Sequence, residues 1–308
     1  MRLIAAGVTA LLVACASPKA DVDVQPLVDA AWLNTQLDDV IVLDIRSSAG
    51  AAEGRETYET GHIPGAIHSG YRQDRWRVTR DSVPGMAPAV PELEQLIGGL
   101  GISNDDYVVI VPAGTTAGEF GSATRVYWQF KVLGHERVSI LDGGFEAWKA
   151  AEYPVTTEPL EFEPVSYTAD YQSQLVASRE DVIAALQNGT QLIDARSASY
   201  YMGESKSRSA ARAGTIAGAK NVPAAAMTVE NGGTFVDFET AASFWNEAGA
   251  ADDGEQIVFC NTGHLATLTW FAAYELLGNK QARVYDGSTA EWSADPDSPM
   301  DNSGGPAR

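Results

Sequence analysis

The sequence predicts an α/β protein made of two tandem copies of one domain, each an open, mainly parallel sheet flanked by helices. Two observations predict it. Short, near-continuous apolar runs alternate with helical stretches, the pattern of strands covered on both faces of a parallel sheet. The set of segments then recurs in the same order about 150 residues later. Leu43-Asp44-Ile45-Arg46 returns as Ile193-Asp194-Ala195-Arg196, and Gly61-His62-Ile63-Pro64-Gly65-Ala66 as Gly214-Thr215-Ile216-Ala217-Gly218-Ala219. Leu133-Gly134 returns as Leu277-Gly278. Leu141-Asp142-Gly143-Gly144-Phe145-Glu146-Ala147-Trp148 returns as Tyr285-Asp286-Gly287-Ser288-Thr289-Ala290-Glu291-Trp292 after a one-residue trim.

Taken in order, residues 1–15 read as a secretory signal, with Arg2 as its positive end and apolar residues 3–13 too short to span a bilayer. Leu12-Val13-Ala14-Cys15 is similar to the lipobox of bacterial lipoproteins, in which the cysteine is lipidated and becomes the first mature residue. Ala16 stands where an inner-membrane retention signal has aspartate. The expectation is an exported, periplasmic chain held to a bacterial membrane only by a lipid on Cys15. The first domain is expected over 25–155, with strands at 40–43, 107–111 and 138–141 and helices near 91–98 and 125–133. Pro154, Pro159 and Pro164 mark an extended linker, 156–174. The second domain, 175–294, repeats the strands at 191–193, 256–259 and 282–285. Residues 295–308, rich in Pro, Asp, Ser and Gly, read as a frayed tail.

Composition removes several function classes. The chain has 308 residues, 45% of them hydrophobic, which suffices for two cores. No run of eighteen apolar residues is present. A net charge of -20 argues against nucleic acid as a partner, since phosphate backbones attract basic surfaces. No spaced metal-ligand set, Gly-rich phosphate motif or Ser-His-Asp constellation is evident, so no metal or cofactor is expected.

The cysteines narrow the choice further. Only Cys15 and Cys260 occur, and with Cys15 in the leader Cys260 is the sole thiol of the folded body, without a disulfide or zinc-cluster partner. An unpaired thiol in an exported chain is an oxidation hazard unless it has a task. Cys260 ends the apolar run Gln256-Ile257-Val258-Phe259 and opens a polar turn, Asn261-Thr262-Gly263-His264-Leu265, after which Ala266 begins a helical stretch. Main-chain amides converging there, with some help from the helix dipole, favour thiolate, the nucleophilic form. Ligands of open parallel sheets bind beyond the carboxyl ends of the strands, where Cys260 falls.

Asp44-Ile45-Arg46, Gly61-His62-Ile63-Pro64-Gly65-Ala66, Leu141-Asp142-Gly143-Gly144 and Asp286-Gly287-Ser288 with Trp292 together resemble the rhodanese family of sulfurtransferases in its tandem form. The resemblance implies two rhodanese-like domains, the first catalytically silent. It implies that Cys260 accepts a sulfane sulfur from a small anionic donor, thiosulfate or 3-mercaptopyruvate. The persulfide then passes that sulfur to cyanide or a thiol. Asn261, Thr262, Gly263, His264, Leu265 and Ala266 are the expected donor-binding loop, with Gly263 allowing the tight curl and His264 orienting a donor or shuttling a proton. In the first domain Pro112 stands at the position of Cys260, before what reads as a longer loop, 113–122.

Thiosulfate enzymes of this family carry basic residues in the loop, where this chain has Asn261 and Thr262. They also carry an arginine near the position of Tyr200. Arg212, with Arg208 or Lys206 beside it, is the expected substitute. Arg46 and Arg196 are expected to bond carbonyls or carboxylates near strand ends. A cysteine phosphatase needs an arginine six residues past its nucleophile, and Ala266 stands there. The remaining alternative is a sulfur-carrier module that holds the persulfide for a partner protein without turning over free donors.

Overall fold

A computed structural model describes residues 23–46, 57–160, 162–229 and 233–302. The leader and Cys15 lie outside the described residues.

The first domain runs β1 (Leu27–Val28), α1 (Ala30–Gln36), β2 (Ile41–Asp44), β3 (Ile67–His68), β4 (Val78–Arg80), β5 (Val83–Met86), α2 (Val90–Gly99), β6 (Val108–Val111), α3 (Ala117–Val132), β7 (Val138–Leu141) and α4 (Gly144–Ala150). The second runs β8 (Val176–Ala177), α5 (Arg179–Asn188), β9 (Gln191–Asp194), α6 (Ala198–Tyr201), β10 (Thr215–Ile216), β11 (Lys220–Asn221), α7 (Phe238–Glu247), β12 (Gln256–Phe259), α8 (Ala266–Phe271), β13 (Ala282–Tyr285), α9 (Ser288–Trp292) and β14 (Met300–Asp301). Each domain holds a five-stranded sheet, ordered β1-β7-β6-β2-β3 and β11-β9-β12-β13-β8. Every pairing within both is parallel. Read from opposite edges the two orders coincide, so β6 and β12 are equivalent central strands. Their residues are all buried, which explains runs without alternation.

The repeated Asp-Xaa-Arg segments do the same job twice. Arg46 forks onto the Asp44 carboxylate at 2.7 Å and reaches the Gly61 carbonyl at 2.7 Å. Arg196 holds Asp194 at 2.5 Å and the Gly214 carbonyl at 2.8 Å. Each arginine therefore ties a strand end to the Gly-rich segment that precedes the next edge strand, and both pairs are buried. The structural reading of these two residues stands.

The cores show how closely the domains are joined. The outer face of each sheet packs its own apolar cluster, one around Trp148 and the other around Trp292. The inner faces share a single cluster from Leu43 and Trp128 through to Val258 and Trp270. Helices α3 and α8 meet inside it, and Thr124 and Thr267 hydrogen bond across them at 3.1 Å.

Two expectations are corrected, and one is sharpened. The first domain has no long loop after Pro112, because Thr116 caps α3 by accepting from the Glu119 amide and the helix begins at Ala117. The linker, expected to be extended, is laid along the first domain. The Val165 amide donates to Gly98, that of Asp170 to Leu133 and that of Gln172 to Val132. Nor is the chain frayed from residue 295. β14 pairs antiparallel with β10, and the Trp292 indole N–H donates to the Pro299 carbonyl at 2.9 Å.

Removing one partner of a buried ion pair leaves the other uncompensated. Arg196→Ala should therefore lower unfolding free energy by about 3–5 kcal/mol, measured by urea denaturation. Arg46→Ala should cost a similar amount.

Candidate active site

Cys260 follows the last residue of β12 and is only 3% exposed. The equivalence with Pro112 is visible in the main chain. Thr289 donates its amide to the Cys260 carbonyl at 3.1 Å and Ala290 to that of Asn261 at 3.0 Å. In the first domain Phe145 donates to Pro112 at 2.9 Å and Glu146 to Ala113 at 3.1 Å.

The loop is shaped from within its own domain by Ser288. This residue adopts φ 51°, a left-handed conformation that is costly for a residue with a side chain, where the first domain has Gly144. Its hydroxyl accepts from the amides of Cys260 at 3.1 Å and Gly263 at 3.0 Å, and donates to the Tyr285 carbonyl at 2.9 Å. The amides of Cys260 and Gly263 thus serve the serine. Among the described residues, the amides of Asn261, Thr262, His264 and Leu265 have no protein acceptor. The first domain differs in the corresponding loop. There the Glu119 carboxylate accepts from the Thr115 amide and hydroxyl, so an acidic group of the chain already fills that place.

From the other side the loop is held by the first domain. The hairpin β4–β5 turns through Asp81 and Ser82, both at positive φ, as a two-residue hairpin requires. It brings the Ala87 amide within 2.7 Å of Asp286, and Arg77 onto both the carbonyl and the hydroxyl of Thr262, at 2.7 and 2.6 Å. Gly85 admits this approach, since a Cβ there would stand 2.1 Å from the Arg77 guanidinium. Arg125 of α3, fully buried, donates to the Gly263 carbonyl at 3.1 Å and pairs with Asp286 at 2.5 Å. Gly263 has φ 71° and no room for a side chain, because its Cβ would meet Asp286 at 2.4 Å. Leu265 packs toward Gly121 of α3, and Ala266 is the buried first residue of α8.

His264 points across the interface, bonding Tyr71 Oη at 2.8 Å through Nδ1 and the Gly118 carbonyl at 3.0 Å through Nε2. The carbonyl can only accept, so this network assigns the proton to Nε2 and leaves Nδ1 to accept from Tyr71. Burial and the neighbouring Arg77 and Arg125 charges hold the imidazole neutral, its pKa lowered to about 3. Burial pushes the Tyr71 phenol up to about 12, which keeps it a donor. His264 is therefore a neutral clamp between domains, and the proton-shuttle expectation loses its basis.

The structure brings Cys260, Asn261, Thr262, Gly263, His264, Leu265 and Ala266 together, and leaves Arg212 elsewhere. The Arg212 guanidinium is consumed by the carbonyls of Ser293 at 3.1 Å, Asp295 at 2.6 Å and Ser298 at 2.9 Å, where it fastens the segment after α9. Lys206 donates to the Ala210 carbonyl at 2.7 Å. The cations that hydrogen bond the loop are Arg77 and Arg125, both from the first domain. The crowding of Arg72, Arg75, Arg77 and Arg80 in so acidic a chain was the signal that could have found the first of them.

A histidine neutral in the fold but with an unfolded pKa near 6.5 binds more protons when unfolded. Its contribution is intact above that pH and is lost as pH falls toward 3. His264→Gln should reduce the acid loss of stability between pH 6.5 and 4 by up to about 1.4 kcal/mol per pH unit. Urea titrations across that range would measure it.

The sequence pattern of the rhodanese-like domain matches this chain twice, over residues 29–151 and 178–295. The chain is 35% identical over 249 residues to a thiosulfate sulfurtransferase of Rattus norvegicus, covering 80% of this chain and 82% of that protein. It is 33% identical over 282 residues to the sulfur carrier protein TtuD of Thermus thermophilus, covering 86% of this chain and 93% of that protein. The crystal structure of SseA from Escherichia coli, described as a 3-mercaptopyruvate sulfotransferase, superposes with a TM-score of 0.72 at 26% identity, over 86% of this chain and 98% of that one. The order of both sheets, the paired Asp-Xaa-Arg anchors and the double match together place this chain in the rhodanese family of sulfurtransferases, in its tandem form.

Proposed function

We propose that this protein moves a sulfane sulfur from a small anionic donor, thiosulfate or 3-mercaptopyruvate, to cyanide or a thiol through a persulfide on Cys260. One observation carries the reading. The only cysteine among the described residues stands at the end of the central strand of one sheet, beside loop amides that have no protein acceptor. Its counterpart in the other sheet is a proline, Pro112, and in the loop after it the Glu119 carboxylate accepts the Thr115 amide.

With thiosulfate, the Cys260 thiolate attacks the outer sulfur and the S–S bond of the donor breaks, its electron pair leaving on sulfite. Cyanide then attacks the outer sulfur of the persulfide and leaves as thiocyanate, returning the thiolate. The free amides of Asn261, Thr262, His264 and Leu265 are the donors available to the persulfide charge. Charge-assisted hydrogen bonds contribute about 1.5–3 kcal/mol each, so two would hold it. A sulfur only 3% exposed suits a donor of few atoms and keeps water from the persulfide. Gly263 gives the loop its shape, Leu265 and Ala266 seat it on α3 and α8, and His264 locks it to the first domain.

A second reading, favoured by the similarity to TtuD, is a carrier that hands the persulfide to a partner protein. Sustained turnover with thiosulfate and cyanide distinguishes the two, since a carrier loads once and stalls. On sequence grounds the same proposal has the chain exported and lipidated at Cys15.

Intact mass spectrometry after incubation with donor should show one added sulfur on the peptide containing Cys260. In Cys260→Ser both the added mass and transfer to cyanide should vanish, with the fold unchanged by circular dichroism. Persistence of transfer in that variant would refute the mechanism.

A further inference from the structure

We infer that Arg77, from the catalytically silent domain, is the group that binds the oxyanion end of the donor and stabilises the departing sulfite. This rests on the sulfurtransferase reading and assigns the donor a dianionic oxosulfur leaving group. The need for such a group follows from charge. Thiolate plus thiosulfate carries three negative charges, which the transition state gathers around one buried sulfur, and neutral amides compensate them only in part.

The cations near the loop can be taken in turn. Arg125 is neutralised by Asp286, its carboxylate partner at 2.5 Å. Arg212 is turned onto the main-chain carbonyls of Ser293, Asp295 and Ser298, in the segment after α9, and bonds no residue of the Cys260 loop. Arg77 is different. Nε donates to the Gly85 carbonyl at 3.1 Å and Nη2 to the Thr262 carbonyl and hydroxyl, so the guanidinium is fixed in place. Nη1 donates to no protein atom among the described residues and is not sealed in the interior. Among the described residues no carboxylate pairs with Arg77.

The surroundings agree. Arg72 and Arg75 lie on the exposed approach to the same hairpin, accompanied by the acids Asp74 and Asp81. Arg72, Arg77 and Arg125 all act on His264, four positions past Cys260, and help to keep it uncharged. A guanidinium with one open edge, fixed two residues from the sulfur, is preorganised for an oxyanion.

The test compares two donors that deliver the same atom. Thiosulfate releases sulfite, a dianion; the methanethiosulfonate anion releases methanesulfinate, a monoanion. Single-turnover sulfur uptake by Cys260, followed by quenching and intact mass, is measured for wild type, Arg77→Gln, Arg77→Lys and Thr262→Val. Arg77→Gln should slow uptake from thiosulfate roughly 10- to 100-fold, the loss of one or two charge-assisted hydrogen bonds. Uptake from methanethiosulfonate should fall only a few-fold. Arg77→Lys should recover most of the difference. Thr262→Val, which keeps the carbonyl clamp and the charge, should not discriminate between donors.

Equal slowing with both donors in Arg77→Gln would make Arg77 a scaffold for the loop and overturn the inference, as would no slowing with either. If wild-type Cys260 takes sulfur from neither donor but is loaded by 3-mercaptopyruvate, the inference alone fails; if none of the three loads it, the sulfurtransferase reading fails with it.

Discussion

Two carbonyls of the Cys260 loop, those of Thr262 and Gly263, are held by guanidinium groups that belong to the other domain, and the remainder of the site depends on this constraint. Arg77 grips Thr262 and Arg125 grips Gly263, while Asp286 ties the same loop region to the hairpin through the Ala87 amide. With its carbonyls pulled to one side and two amides taken by Ser288, the loop keeps its other amides unsatisfied. Four such groups in water would find solvent. Beside a sulfur that is 3% exposed they stand as donors without a protein acceptor among the described residues.

The duplicated domain is therefore not idle, although it carries no thiol. In its own loop the Glu119 carboxylate accepts the Thr115 amide, and Gly144 holds the place of the strained Ser288. What it contributes is the wall of the other site: a hairpin, a buried arginine and the Tyr71 and Gly118 partners of His264. Reciprocity survives at one point. Asp142 accepts the Phe235 amide from the second domain at 2.9 Å, much as Asp286 accepts Ala87 from the first. Each domain reaches over the Asp-Gly loop of the other, and only one of the two crossings covers a cysteine. The shared inner core makes the arrangement rigid, since closely packed interiors transmit small displacements rather than absorb them.

The Cys260 loop could be read in advance because its information is local. A strand run, a cysteine, a polar turn with glycine and a helix are adjacent in the chain, and each follows from residue type. The buried strands of both sheets were legible for the same reason, as was the match of Pro112 to Cys260. The edge strands were not, because pairs such as Leu27–Val28 and Lys220–Asn221 are too short to carry a period. The choice of Arg212 failed because sequence proximity to a Gly-rich segment says nothing about which carbonyls a long side chain will meet. Its partners lie more than eighty positions away. The start of α3 was placed late because Ala113 to Ser122 is rich in small and polar residues, while the Thr116 cap determines where the helix begins.

By itself the sequence determined the duplicated α/β architecture, the family and the single thiol at the carboxyl end of a central strand, all properties of nearby residues or of repeated order. Tertiary structure alone decided which charges surround that thiol, which amides remain free and what state His264 adopts. Those depend on side chains separated by more than a hundred residues, as Arg77 and Thr262 are, and on burial produced only when two domains close on one another. Electrostatics at short range is set by distance in space, and no local pattern along the chain encodes it.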